Sequence, residues 1–289
     1  MKFLLLSAIV LCALGNNVMK NSFAKGSGFT DGDNAVYNTI ACFIGAPMAL
    51  IGHELQPVSG QALILALLFG AAMAGVAITT ILAFKSGPMA LTALFGNFSL
   101  LIPLFAGFAL WHEPVSLGKT AGIALIFASI FLILNPEKNE KGSKKWAVMT
   151  LLYFLSSGLM SLFQQLASKR CPDEASMFLV CGFLAASVFL LLYTILFCRS
   201  SETRPHFPLL SPENLNGLIV GIFGGISHIC ALKILSVMDS TVYYPLKDGL
   251  CIIFSAIAGL LFFHERFSKR KTAGFIIGAA AILLLSAGA

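Results

Sequence analysis

The chain has 289 residues, 57% hydrophobic and 11% charged, with a mean hydropathy of +0.88. A soluble domain carries about 25% charged residues, so this composition excludes an ordinary water-soluble globule and calls for lipid as solvent. The net charge of +6 suits contact with anionic headgroups; it does not mark a nucleic-acid binder, because the cations sit in short loops between apolar runs rather than on one basic face.

A hydrocarbon span needs about 20 apolar residues. Ten runs qualify: 3–23, 35–52, 61–84, 89–111, 117–135, 146–167, 175–198, 214–236, 241–263 and 270–287. Lipid offers the backbone no hydrogen-bond partners, so each is predicted as a helix. The first run imitates a signal peptide, but CALGNN lacks a small-residue cleavage pattern, and it reads as a retained helix. It carries Asn16, Asn17, Lys20 and Asn21. The fourth run holds Asn97, and the sixth holds Gln164 and Gln165. Amides in lipid bond across helices or bind ligand hydroxyls, and both readings stand. His228 lies mid-way along the eighth run. It fits a proton relay, with an unperturbed pKa of about 6.5, and equally a neutral ring bonded to a neighbouring backbone. Lys233 lies near that run's end, where a lysine can snorkel.

The ninth run is the sharpest feature, because it contains Lys247 and Asp248. A charge at a helix centre costs about 2.5–3.5 kcal/mol on insertion scales, so such groups face a cavity, pair or lose their charge. Neighbours on a helix point about 100° apart, which predicts different surroundings for the two. In the functional reading Lys247 meets an anionic group of a substrate and Asp248 orients it or carries a proton. In the structural reading each locks the helix to a neighbour. Tyr243 and Tyr244, one turn earlier, can share the face of Lys247.

Two stretches nearly repeat each other: WHEPVSLGKTAG at 111–122 and FHERFSKRKTAG at 263–274, offset by 152 residues. The chain is therefore predicted as two five-helix repeats, residues 1–135 and 146–289, joined by the lysine-rich loop 136–145. An odd number of helices per repeat inverts the second copy in the bilayer, with a binding cavity expected near mid-depth between the halves. At the positions of Lys247 and Asp248 the first copy has Phe95 and Gly96, so the cavity is expected to be electrically asymmetric. Gly118–Gly122, Gly221–Gly225 and Gly274–Gly278 have the GxxxG spacing of close helix contacts. Glu113 and Glu265 sit at helix ends, one copy on each face, and read as caps rather than catalytic acids. Gly118-Lys119-Thr120 mimics the end of a phosphate-binding loop, but Glu113 stands where that loop needs glycine. The seven cysteines show neither metal nor disulfide spacing. No cofactor is expected.

The repeated helix–[HE]-x-x-S-x-x-K-T-A-G–helix unit, with LGNNVMK at 14–20, resembles the drug/metabolite transporter superfamily, specifically its ten-helix EamA-type permeases. The resemblance implies a helical membrane protein of a bacterial plasma membrane and matches Glu113 and Glu265 to the family's turn glutamate. It implies both termini in the cytoplasm. The loop cations, most of them on the side opposite the termini, place the termini outside by the positive-inside rule. Sugar-phosphate carriers of the superfamily place basic residues in the ninth helix, which supports Lys247. The first-helix coupling glutamate of the small multidrug resistance proteins has no equivalent here.

The expected function is secondary transport of a small polar metabolite by alternating access, without ATP hydrolysis, in contact with lipid and with a coupling proton or ion as a further partner. The candidate substrate residues are Lys247, Asp248, His228, Tyr243, Tyr244, Asn16, Asn17, Gln164, Gln165 and Asn97. The alternative is a membrane-embedded enzyme acting on a lipid-linked substrate, which would need several carboxylates or histidines converging at one depth.

Overall fold

The computed structural model describes residues 9, 11–12, 30–51, 56–87, 89–114, 116–134, 143–208, 211–250 and 269–287. Among these the regular structure is entirely helical: α1 (Asp31–Met48), α2 (Gly60–Ser86), α3 (Met89–Phe98), α4 (Leu101–Trp111), α5 (Leu117–Leu134), α6 (Lys144–Arg170), α7 (Ala175–Phe197) and α8 (Pro212–Leu235). They are followed by α9, described over 240–250, and α10 (Lys269–Ala287). Four stretches are long and apolar enough to cross a membrane: Gly60–Ser86, Lys144–Arg170, Pro172–Phe197 and Asn214–Leu235. Three shorter apolar helical stretches accompany them. Most of the predicted first span, most of the 136–145 loop and residues 251–263 of the ninth span lie outside the described residues.

Local chemistry sets the ends of these helices. Ser59, Ser143 and Ser211 each cap the helix that follows, their hydroxyls accepting an amide three residues on. Thr30 and Asp33 form a capping box at the start of α1. Asp33 also accepts from the amides of His206 and Phe207, at 2.7 and 3.1 Å. That carboxylate therefore pins the segment before α8 to the head of α1.

The predicted fourth span, 89–111, is two helices rather than one. Pro103 has no amide to donate to the Ser99 carbonyl, so the α-helical ladder fails at that point. Tighter bonds take over there, from Ser99 to Gly96, from Leu100 to Asn97 and from Ile102 to Ser99.

The main packing partners are α2 with α6 and α7, α1 with α7 and α8, and α5 with α10. Each pair joins an element before residue 135 to one after residue 143. Small residues let the backbones approach. On α8, Gly217, Gly221 and Gly225 follow at intervals of four; a Cβ on them would lie 2.9, 2.5 and 2.8 Å from the α1 carbonyl oxygens of Tyr37, Ala41 and Gly45. The predicted Gly221–Gly225 contact is thus real and one step longer than expected. At Gly274 the carbonyl accepts from Ser129 of α5 at 2.7 Å. Gly118 makes no such approach, since a Cβ there would meet only the Ser116 hydroxyl at 3.9 Å. The outward faces stay apolar: Leu191, Leu192 and Phe197 of α7 are 49%, 46% and 70% exposed, as suits a helix solvated by lipid.

Gly221 and Gly224 provide a matched pair of tests. A methyl at Gly221 must push α1 away, whereas nothing lies within 4 Å of one at Gly224. Gly221→Ala is expected to lower stability by about 1–3 kcal/mol. Gly224→Ala should leave it within about 0.5 kcal/mol or raise it through helix propensity. Thermal unfolding of the purified variants measures both.

Candidate functional site

The start of α9 is fixed from across the chain. α4 ends at His112, whose left-handed backbone (φ 50°) turns the chain so that Glu113 points back into the protein. The Glu113 carboxylate is buried. Its Oε1 accepts from the Ser240 amide (3.0 Å) and hydroxyl (2.8 Å), and its Oε2 accepts from the Thr241 amide (2.9 Å). These amides open α9, where the helix dipole favours an anion. Lys119, the lysine of the repeated motif, pairs with Asp239 at 2.6 Å just before them. Gly107 leaves the room required, since a Cβ there would sit 2.6 Å from the Ser240 hydroxyl oxygen. Gln165 donates to that same hydroxyl. The first HE…KTAG motif is therefore a clamp on a helix more than a hundred residues away, not a local cap.

Along α9, Lys247 and Asp248 pair with each other, where separate surroundings were expected. The ammonium lies 2.9 Å from Asp248 Oδ1, because a long, flexible lysine can fold back onto the adjacent carboxylate. In a water-poor setting, pairing outweighs the preferred directions of the two side chains. The pair is partly accessible, at 26% and 21%. Lys247 also lies 5.7 Å from the centre of the Tyr244 ring, within cation–π range. The Tyr244 hydroxyl donates to the Ser161 carbonyl of α6 at 2.7 Å. Gly96 of α3 makes room for the Tyr153 ring of α6, into which any Cβ would run.

A second polar group surrounds His228. Gln164 donates from Nε2 to the His228 carbonyl at 3.1 Å, and its Oε1 lies 3.3 Å from His228 Nδ1. A carbonyl only accepts, so the amide orientation is fixed and Nδ1 must carry the proton. Phe69 and Phe183 each stand edge-on to the imidazole, with centroids 5.5 Å away at 85° and 82°. This arrangement borders a cavity of about 150 Å³ between α1, α2, α6, α7 and α8, lined by Asn38, Cys42, Met73, Met160, Phe183 and His228 among others.

The sequence-predicted residues thus fall into separate places. His228 lines the cavity, and Gln164 holds it. Lys247, Asp248 and Tyr244 form the pair and its support. Gln165 belongs to the clamp on Ser240. Tyr243 is buried in an apolar cluster with Leu104, Ile126 and Ile234, and its ring lies 4.9 Å from that of Tyr244. Asn97 is half-buried in α3. Asn16, Asn17 and Glu265 lie outside the described residues. Sequence reasoning missed Asn38, whose signal was its spacing of four from Asn34 on one helix: Asn38 Nδ2 donates to the Asn34 carbonyl and side-chain oxygens at 2.8 and 2.9 Å. It also missed the polar stripe of α6. There Ser157 accepts from Ser99 at 2.8 Å, and Ser168 donates to the Leu232 carbonyl at 3.0 Å. Among the described residues no three His, Cys, Asp or Glu side chains converge as a metal site would require.

Residues 144–287 match the EamA-like transporter family. An uncharacterized protein of Haemophilus influenzae is 25% identical over 193 residues, 65% of this chain and 62% of that relative; the chain thus spans less than two thirds of the relative's length. A solved crystal structure superposes with a TM-score of 0.78 over 100% of this chain and 97% of its own, at 16% identity, a likeness that concerns the fold alone. The second half of the chain is thus similar to the EamA-like transporter family, in keeping with the drug/metabolite transporter superfamily that the repeated motif resembles.

Removing the clamp should be costly. Glu113→Ala leaves the Ser240 and Thr241 amides buried without an acceptor, at about 1–3 kcal/mol for each unsatisfied group. Glu113→Gln keeps one acceptor and is expected to fall between Ala and the native chain. Chemical unfolding in detergent ranks the three; equal stability of all of them would remove the clamp's structural role.

Proposed function

We propose that this protein, whose residues 144–287 are similar to the EamA-like transporter family, is a secondary transporter that moves a small polar metabolite across a bacterial plasma membrane by alternating access, without hydrolysing ATP. The single observation that carries this reading is the cavity at His228, bordered by α1 and α2 from one half and α6, α7 and α8 from the other. Transporters built from repeats bind near the repeat interface.

The packing pattern supports an inverted repeat at 1–135 and 146–289. If the halves exchange, the contact of α1 with α8 becomes that of α7 with α2, and both are present. The contacts of α1 with α7 and of α5 with α10 map onto themselves. A pseudo-two-fold axis gives two such halves a way to rock about a central ligand. In this reading Asn38 and His228 contact the ligand, and Gln164 positions the imidazole. Lys247 and Asp248 serve as a neutralised pair that ties α9 to α6 through Tyr244.

Protein reconstituted in liposomes is expected to equilibrate or exchange a metabolite down its gradient with no nucleotide present; a broad solute panel that stays outside the vesicles would overturn the reading. The role of the pair is separable. Lys247→Met alone leaves a lone carboxylate and should reduce transport and stability more than Lys247→Met with Asp248→Asn. A double variant as impaired as the single one would show instead that the ammonium acts on the substrate, as an anion-binding group would.

A further inference from the structure

The lining of the cavity limits what can occupy it. Its described lining contains no Lys, Arg, Asp or Glu, and the ionisable side chains among the described lining residues are the His228 imidazole and the Cys42 thiol. The fixed charges of α9 are already paired with each other. An ion entering such a space would lose its hydration without a counter-charge, at a cost of several kcal/mol. Size points the same way: an engineered apolar cavity of about 150 Å³ takes a molecule of benzene's size, and this partly open cavity has about 150 Å³.

The polar chemistry is directional. Asn38 spends its amide nitrogen on Asn34, at 2.8 Å to a backbone carbonyl that can only accept. What Asn38 can offer a ligand is therefore its Oδ1, an acceptor. Around it stand an aromatic edge from Phe183 and the polarizable sulfurs of Cys42, Met73 and Met160, with Cys42 Sγ 3.6 Å from Met73 Sδ. Sulfur in this setting favours aromatic partners.

On the proposal that this cavity is the transport site, we infer that its substrate is an uncharged, single-ring aromatic or heteroaromatic compound with an N–H or O–H donor that bonds to Asn38. The carrier thereby discriminates against anions and cations of the same size.

Four soluble probes of nearly equal size test this on the full-length purified protein at pH 7, by calorimetry and by thermal shift. Nicotinamide is neutral with an N–H donor, and methyl nicotinate is neutral without one. Nicotinate is an anion, and 3-(aminomethyl)pyridine is a cation. Nicotinamide is expected to bind and raise the melting temperature. Methyl nicotinate should bind about three- to tenfold more weakly, the value of one hydrogen bond, and neither ion should bind measurably. Asn38→Leu, which keeps the side-chain volume, should bring nicotinamide down to the level of methyl nicotinate while the unliganded melting temperature stays within a few degrees. Tighter binding of nicotinate or of the amine than of nicotinamide overturns the inference, as does a native nicotinamide response in Asn38→Leu. If the variant is unstable, Asn38→Ser is used; its shorter side chain should weaken nicotinamide without changing the ranking of the two ions. Liposome flux separates the two readings. Uptake of charged solutes only would refute the ligand class and leave transport standing; binding of nicotinamide with no flux of any solute would do the reverse.

Discussion

The carboxylate of Glu113 determines where α9 begins. It takes three donors from Ser240 and Thr241, in a place where an amide without a partner would carry its full desolvation cost. Lys119 holds Asp239 alongside. The first half thereby sets both the position and the charge balance of the second half's ninth helix. Everything α9 displays further along, including Tyr244 against α6 and the Lys247–Asp248 pair, inherits its register from this anchor.

α6 is the other organiser. Its side chains and carbonyls reach the turn between α3 and α4 through Ser157, α9 through Ser161 and Gln165, and α8 through Gln164 and Ser168. Polar bonds between helices in lipid are each worth only about 0.6 kcal/mol on average, so the stripe acts as a set of registers rather than as one strong bond. Glycines do the complementary work where backbones touch, as along α8 against α1.

Much of this was legible in the amino-acid sequence, for physical reasons. Apolar run length found the helices, because lipid leaves the backbone no other option. The break inside 89–111 was visible in principle as Pro103, but a proline near a helix start and one inside a span look alike until the carbonyl it faces is known. The echo of HE and KTAG marked the important turns, yet spacing alone could not show that Glu113 reaches residue 240 rather than the helix beside it. Burial made Lys247 and Asp248 conspicuous. Their mutual pairing depends on side-chain conformation, which periodicity does not encode. Asn38 was overlooked because a polar residue near the head of a helix is ordinarily unremarkable; its place in the lining of the cavity that His228 also borders is a property of packing.

The Lys247–Asp248 pair has an electrical consequence. Moving one elementary charge through the membrane potential is worth about 2.3 kcal/mol per 100 mV. Opposite charges 2.9 Å apart on adjacent residues carry a dipole and no net charge. The membrane field therefore does almost no net work on the pair itself.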